Sequence, residues 1–125
     1  RVIFSLVPFE GETEIRSLVV DGSGLVWGLT ENSKLFAYDS GDYALLDHYD
    51  LSEYGTPLLR DQSLLVDDDG DVIILLSDAI LRVKPGQNEP ELIRSTPVEV
   101  TAGGALINGR LYFASGSHVW SIKLD

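Results

Sequence analysis

Short apolar runs alternate with turns rich in Asp, Asn and Gly along the whole chain. Three predicted hairpins stand out, each a pair of apolar runs around a turn, at residues 17–30, 63–77 and 104–115. Their turns contain Asp-Gly or Asn-Gly, dipeptides that accept positive φ and close tight hairpins. The 3.6-residue periodicity of helices is absent. The pattern therefore predicts an all-β protein of antiparallel strands.

Each hairpin is followed by a polar break and a third apolar run, at residues 34–38, 79–83 and 118–122. The first two units continue into a fourth, more polar run, at residues 43–49 and 91–95. Val20 and Val66 are 46 positions apart, and Val66 and Ile107 are 41 apart. Four antiparallel strands in ~40–45 residues is the period of a β-propeller blade. We therefore predict three blades, at residues 15–52, 58–97 and 101–125.

The third unit ends before any fourth strand, whereas an extra strand-like run opens the chain. The offset between this run and the first hairpin resembles that between each fourth strand and the next hairpin. We therefore expect residues 1–9 to form an outer strand that completes a last blade. The missing methionine, even at position 1, is typical of a processed product or a piece of a longer protein.

The second strands of the units do not alternate between apolar and polar residues. Residues 25–29, 72–76 and 111–114 are apolar almost throughout, so they need cover on both faces. A blade inside a stacked ring has that cover, and an all-β sandwich is the rival fold. Known propellers close with ~4–8 blades. Three blades would therefore be half of a six-bladed ring of two chains, which we favour, or part of a larger propeller.

Composition excludes several classes of function. The chain has 125 residues, a formal net charge of −11 and a pI near 4.4, which disfavours binding to nucleic acids and anionic membranes. No apolar run reaches the ~20 residues of a membrane-spanning helix. The absence of cysteine excludes disulfides and thiol chemistry. The absence of both cysteine and methionine favours a mature exported segment, periplasmic or extracellular.

The runs at residues 24–28 and 34–39, followed by Gly41, resemble repeats of bacterial β-propellers. The similar families are the quinoprotein-like, YVTN-type and NHL or gluconolactonase-like groups. The resemblance is to the repeat type, because the marks of WD40 repeats and the tryptophan-docking motif of quinoprotein dehydrogenases are absent. It implies functions from ligand, glycan or protein binding and sensing to lactone hydrolysis, and a fold alone does not choose among them.

The densest acidic run, residues 67–71, suggests calcium. In an EF-hand frame that starts at Asp67, Val72 stands where glycine is required and Asp78 where glutamate is required. The equivalent turns of the other units favour hairpin chemistry instead. We therefore predict no cofactor, with calcium at Asp67 and Asp69 as the alternative.

Propeller geometry predicts a binding face made of the loops that enter each blade and those that join its second and third strands. Two arginines precede first strands there, and such residues suit a carboxylate or phosphate ligand. The alternative for them is ion pairing with Glu14, Asp61 or neighbouring carboxylates. The candidate ligand-binding residues are Arg16, Glu31, Arg60, Asp78 and His118.

Sequence motifs for catalysis are absent. His48 and His118 are the only histidines, and neither a zinc pattern nor a Gly-x-Ser-x-Gly elbow is present. We expect Trp27 and Trp120 to belong to the core. The first functional hypothesis is a non-enzymatic binding or interaction module. The alternatives are a metal-dependent lactonase-like hydrolase and a structural or sensory segment of a larger exported protein.

Overall fold

The structure, a computed structural model, describes residues 8, 10–42, 44–84 and 89–124, where the chain is all β apart from a short 3-10 helix at Ser52–Tyr54. The strands form three antiparallel sheets. Sheet 1 contains β1 (Ile15–Val20), β2 (Leu25–Thr30), β3 (Lys34–Asp39) and β4 (Leu45–Asp50). Sheet 2 contains β5 (Leu64–Val66), β6 (Val72–Leu75), β7 (Ala79–Val83) and β8 (Glu91–Ser95). Sheet 3 contains β9 (Ala102–Ile107), β10 (Arg110–Ser115) and β11 (His118–Lys123).

These strands confirm the predicted all-β class, and in each sheet consecutive strands are neighbours. Within the described part of the chain, sheet 3 has three strands, with β9 and β11 at its edges. The outer strand expected over residues 1–9 lies outside the described residues, apart from Pro8. No described helix is long and apolar enough to cross a membrane.

The first hairpin turns of sheets 1 and 2 have the same hydrogen bonds. Asp21 Oδ1 accepts from the amides of Ser23 and Leu25, at 2.8 and 3.1 Å. Asp67 Oδ1 accepts from the amides of Asp69 and Asp71, both at 3.0 Å. In each turn the aspartate carboxylate accepts hydrogen bonds from backbone amides that have no partner strand at the bend.

The first hairpin of sheet 3 is tighter. Asn108 and Gly109 have φ of 50° and 78°, between the paired residues Ile107 and Arg110. Positive φ at both central residues is the conformation for which Asn-Gly is selected in two-residue hairpins. The predicted turn is therefore confirmed.

Sheet 2 lies between the other two sheets and is covered on both faces. Along residues 72–76 the side chains alternate between two hydrophobic clusters, and all five are 0% exposed. The even-numbered side chains belong to a cluster with Trp27 and Leu35 of sheet 1, and the odd-numbered ones to a cluster with Leu111 and Phe113 of sheet 3. A two-sheet sandwich leaves one face of each sheet uncovered, so this three-layer stack contradicts the rival fold.

Backbone and side-chain hydrogen bonds also connect sheets 1 and 2. The amide of Ser63 donates to the hydroxyl of Ser17 over 3.0 Å, and both serines are buried. At the far end of the same strands, the amide of Gly22 donates to the carbonyl of Gly70 over 3.0 Å. These two bonds fix the first strands of the two sheets side by side.

Gly28 and Phe36 are directly paired across β2 and β3 on the face of sheet 1 that is turned away from sheet 2. The ring of Phe36 occupies the space that a Cβ at position 28 would take. Phe36 is only 1% exposed, and its ring reaches across the neighbouring strand. A glycine at position 28 is required for this contact.

Candidate functional site

The stack has two ends with different turns. We call the hairpin end the one that carries the β1–β2, β5–β6 and β9–β10 turns. We call the loop end the opposite one, with the β2–β3, β6–β7 and β10–β11 turns and the segments that enter each sheet. The five predicted ligand-binding residues belong to the loop end, and the predicted metal residues belong to the hairpin end.

Sheets 1 and 2 meet at the loop end through residues 51–63, which connect them. Ser33 Oγ donates to the carbonyl of Gly55 over 2.7 Å, and the amide of Thr56 donates to Ser77 Oγ over 2.9 Å. Gly55 has φ of 108°, and any Cβ there would collide with Ser77 Oγ. This serine–glycine contact therefore holds the β2–β3 and β6–β7 turns together, and no motif in the sequence had indicated it.

Glu31 uses both carboxylate oxygens to hold the segment that leads into β1. Oε2 accepts from the amide of Thr13 over 2.8 Å and also from the Thr13 hydroxyl, and Oε1 accepts from the amide of Glu14 over 3.1 Å. These hydrogen bonds, led by the Thr13 hydroxyl, lower the pKa of Glu31 to about 2. Glu31 is thus ionised at neutral pH and already engaged within the protein.

Glu12 makes a second tie of the same kind. Its carboxylate accepts from the Thr30 hydroxyl over 2.5 Å and from the Asn32 amide nitrogen over 2.9 Å. The hydrogen bond from Thr30, and next the one from Asn32, lower the pKa of Glu12. Together, Glu12 and Glu31 fasten the β1 entry segment to the β2–β3 turn.

Arg16 is half-buried and forms an ion pair with Glu14. This pairing is the alternative that the sequence left open for the arginines. Arg60, Asp78 and His118 are exposed at the loop end, and their side chains make no hydrogen bond or ion pair with the described residues. The structure thus divides the predicted set into two engaged side chains and three free ones.

A hollow of about 180 Å³ opens at the loop end between sheets 2 and 3. Thr56, Ser77, Glu99 and Thr101 contribute polar groups to it, and Leu59 lies at its side. None of the five predicted ligand-binding residues lines this hollow. The sequence pattern therefore did not predict this hollow.

A larger hollow, about 340 Å³, opens at the hairpin end between the acidic turn of sheet 2 and the Asn108-Gly109 turn of sheet 3. Carboxylate oxygens of Asp67, Asp69 and Asp71 lie within 4.8 Å of one another at this turn. Hard cations such as Ca²⁺ bind six to eight oxygens, so three carboxylates would supply part of a coordination sphere. The sequence had named Asp67 and Asp69, and the structure adds Asp71.

Asp71 differs from the other two carboxylates because it is buried. Burial raises the pKa of Asp71, and the charge of Asp67 raises it further, whereas the Arg82 guanidinium opposes both effects. Arg82 Nε lies 3.4 Å from Asp71 Oδ2. The triad is therefore a site of charge repulsion that one arginine partly relieves.

Asp69→Asn should raise the free energy of unfolding by about 0.5 kcal/mol at low ionic strength, because it removes one charge from the triad. Urea unfolding without divalent ions measures this change. Asp68→Asn is the matched control, since Asp68 belongs to the same turn but not to the triad. A destabilised Asp69→Asn would contradict the expected repulsion. A rise in Tm with Ca²⁺ that Asp69→Asn loses and Asp68→Asn keeps would assign a cation to the triad.

The two histidines lie in different sheets. His48 is in β4, the fourth strand of sheet 1, and His118 begins β11 of sheet 3. Trp27 is buried as predicted, and Trp120 packs against the cluster between sheets 2 and 3. When the chain is compared with known proteins, no protein-family model and no curated protein matches it.

Proposed function

We propose that this chain is a non-enzymatic binding module of the β-propeller type. The observation that carries the proposal is the stacking of three antiparallel sheets in which the middle sheet is covered on both faces. Propeller blades stack in this way around a channel, and their loops form a binding face. The three blades are sheets 1, 2 and 3.

The binding face is the loop end, and its ligand carries a carboxylate or phosphate group. Arg60 supports this choice because it is an exposed cation without a partner among the described residues, in a chain of net charge −11. A planar guanidinium donates paired hydrogen bonds to such groups. Arg16 contributes less, since Glu14 already pairs with it.

Titration of the ¹⁵N-labelled chain with inorganic phosphate and citrate at constant ionic strength tests this function. We expect amide shifts near Arg60 that saturate in wild type and are lost in Arg60→Gln. Arg94→Gln is the matched control, because Arg94 is an exposed arginine on β8 of sheet 2, the sheet that the Arg60 segment enters. Shifts that are equal in all three proteins, or absent from the loop end, would reject the proposed binding face.

A metal-dependent lactonase-like hydrolase is the second candidate, and the proximity of Asp67, Asp69 and Asp71 favours it. In such an enzyme, several carboxylates and amides hold one divalent cation that polarises the ester. Metal analysis of the purified protein and the change of Tm with EDTA separate the two candidates. A stoichiometric ion whose removal lowers Tm would favour the hydrolase.

A further inference from the structure

Two sheet faces are apolar and exposed in the described part of the chain. The outer face of sheet 1, turned away from sheet 2, carries Leu18 and Val20, which are 54% and 57% exposed. The outer face of sheet 3, also turned away from sheet 2, carries Tyr112 and Val119, of which Val119 is 79% exposed. Contiguous exposed apolar faces of this kind mark interaction surfaces.

The outer face of sheet 3 is shallow and lined by small residues. Val119 pairs directly with Ala114, and Tyr112 pairs with Ala105, so these four side chains share the face. A hollow of about 260 Å³ lies between them and Gly103. Branched side chains that project from another sheet would fit such a depression.

The outer face of sheet 1 presents side chains of that kind. Leu18 and Val20 alternate with Ser17 and Val19, which point to the interior of the stack. Val20 pairs with Val26, which extends the apolar surface into β2. Side chains therefore project from the outer face of sheet 1, whereas the outer face of sheet 3 has a hollow.

The two interfaces inside the chain show how such faces combine. The turn-flanking pairs Val20–Val26 and Val66–Val72 are equivalent, so Trp27 of sheet 1 corresponds to Ile73 of sheet 2. Trp27 packs toward sheet 2, and Ile73 packs toward sheet 3. Sheet 1 thus presents to sheet 2 the type of face that sheet 2 presents to sheet 3, and sheet 2 presents its opposite face to sheet 1.

In this head-to-tail order, the outer faces of sheets 1 and 3 have no contact with another of the three sheets. Sheet 3 contacts sheet 2 through Leu111 and Phe113, so its opposite face is the one that a following sheet would contact. The outer face of sheet 1 is the type that receives a preceding sheet. A head-to-tail contact repeats until a ring closes, and two chains of three sheets give six, within the ~4–8 known for propellers.

We propose that a second copy of this chain docks head to tail, with the outer face of sheet 3 of each copy on the outer face of sheet 1 of the other. The two copies form a closed six-sheet ring with two identical seams. This inference rests on the propeller assignment in the proposed function but not on its ligand. A monomer that still binds phosphate at Arg60 would reject the ring and leave the binding face intact.

Sedimentation equilibrium of the full chain, from about 1 to 200 µM in about 150 mM NaCl to screen the repulsion between acidic chains, tests the proposal. We expect twice the monomer mass of 13.7 kDa. Val119→Glu and Leu18→Glu should each weaken dimerisation at least tenfold, because a charge would be buried without a partner. Leu59→Glu is the control, since Leu59 is 83% exposed and belongs to neither outer face.

Mixing the two variants identifies the head-to-tail arrangement. Val119→Glu keeps an intact sheet 1 face and Leu18→Glu keeps an intact sheet 3 face, so the mixture should form a heterodimer through one unmodified seam. Circular dichroism and urea midpoints confirm that each variant is folded. A folded wild type that stays monomeric at 200 µM would overturn the second copy as occupant. A dimer unaffected by both substitutions would overturn it equally.

Discussion

Replacing Asp21 with alanine should lower the free energy of unfolding by about 3 kcal/mol, which corresponds to a fall in Tm of about 10 °C. Asp21 Oδ2 accepts a 2.9 Å hydrogen bond from the indole nitrogen of Trp27, and both residues are buried. The substitution leaves that N–H without a partner in the core, and it also removes the acceptor of the turn amides of Ser23 and Leu25. Urea and thermal unfolding measure the loss.

Asp67→Ala is the matched control for this experiment. Asp67 accepts the equivalent turn hydrogen bonds, but Ile73 stands at the position that Trp27 has in sheet 1, so no indole loses its acceptor. We expect a cost of about 1 kcal/mol for Asp67→Ala. Equal costs at the two sites would show that the Trp27 bond contributes nothing beyond the turn.

Asp21 also makes the stability of the protein depend on pH. Burial alone would raise its pKa, but the hydrogen bonds from Ser23, Trp27 and Leu25 together lower it below the ordinary value of 3.8. The stabilisation is therefore present above the unfolded-state pKa and is lost as the pH falls through the lower folded-state pKa. The difference in stability between wild type and Asp21→Ala should narrow below pH 3.8. A difference that stays constant through this range would contradict an ionised Asp21.

Ile73→Ala and Ile74→Ala should each cost about 2–4 kcal/mol, because each removes a fully buried side chain from a different cluster. Adjacent residues of a strand point to opposite faces, so two large effects in succession require cover on both faces. Unfolding in urea at low protein concentration measures both losses. Leu59→Ala, at an exposed position, should change stability by less than about 0.5 kcal/mol. A small effect of either isoleucine variant would contradict the three-layer stack.

Much of the fold was predictable from local chemistry. The third run predicted at residues 79–83 is observed as Ala79–Val83, and the Asn108-Gly109 turn has the expected positive φ values. The fourth run expected at residues 43–49 is observed as Leu45–Asp50, with Tyr43 outside the described residues. The unalternating apolar run at residues 72–76 correctly indicated a sheet covered on both faces, because solvent on one face would have selected polar residues there. The run at residues 111–114 does not show this cover, since Tyr112 is 36% exposed between the buried Leu111 and Phe113.

The candidate site was less predictable, because its side chains meet across long sequence separations. Glu31 accepts hydrogen bonds from Thr13, 18 positions earlier, and this pairing depends on how the entry segment folds back. For Arg16, the sequence offered a ligand or an ion pair with Glu14, two residues away, and the structure shows the ion pair. For Trp27, the core position was correct, but its bond to Asp21 was missed. The sequence did contain a signal for this bond, because Asp21 stands in a turn six residues before Trp27.

The Phe36 ring, which lies above Gly28, limits which part of the outer face of sheet 1 can contact another sheet. With the Phe36 ring across β2, that part of the face is covered, and the exposed apolar side chains lie on the two edge strands, at Leu18 and Val20 of β1 and at Leu45 of β4. A neighbouring sheet that docks on this face therefore meets exposed apolar side chains at both edges of sheet 1. Substitutions at the exposed apolar residues of β1 and β4 should accordingly disturb assembly more than substitutions on β3.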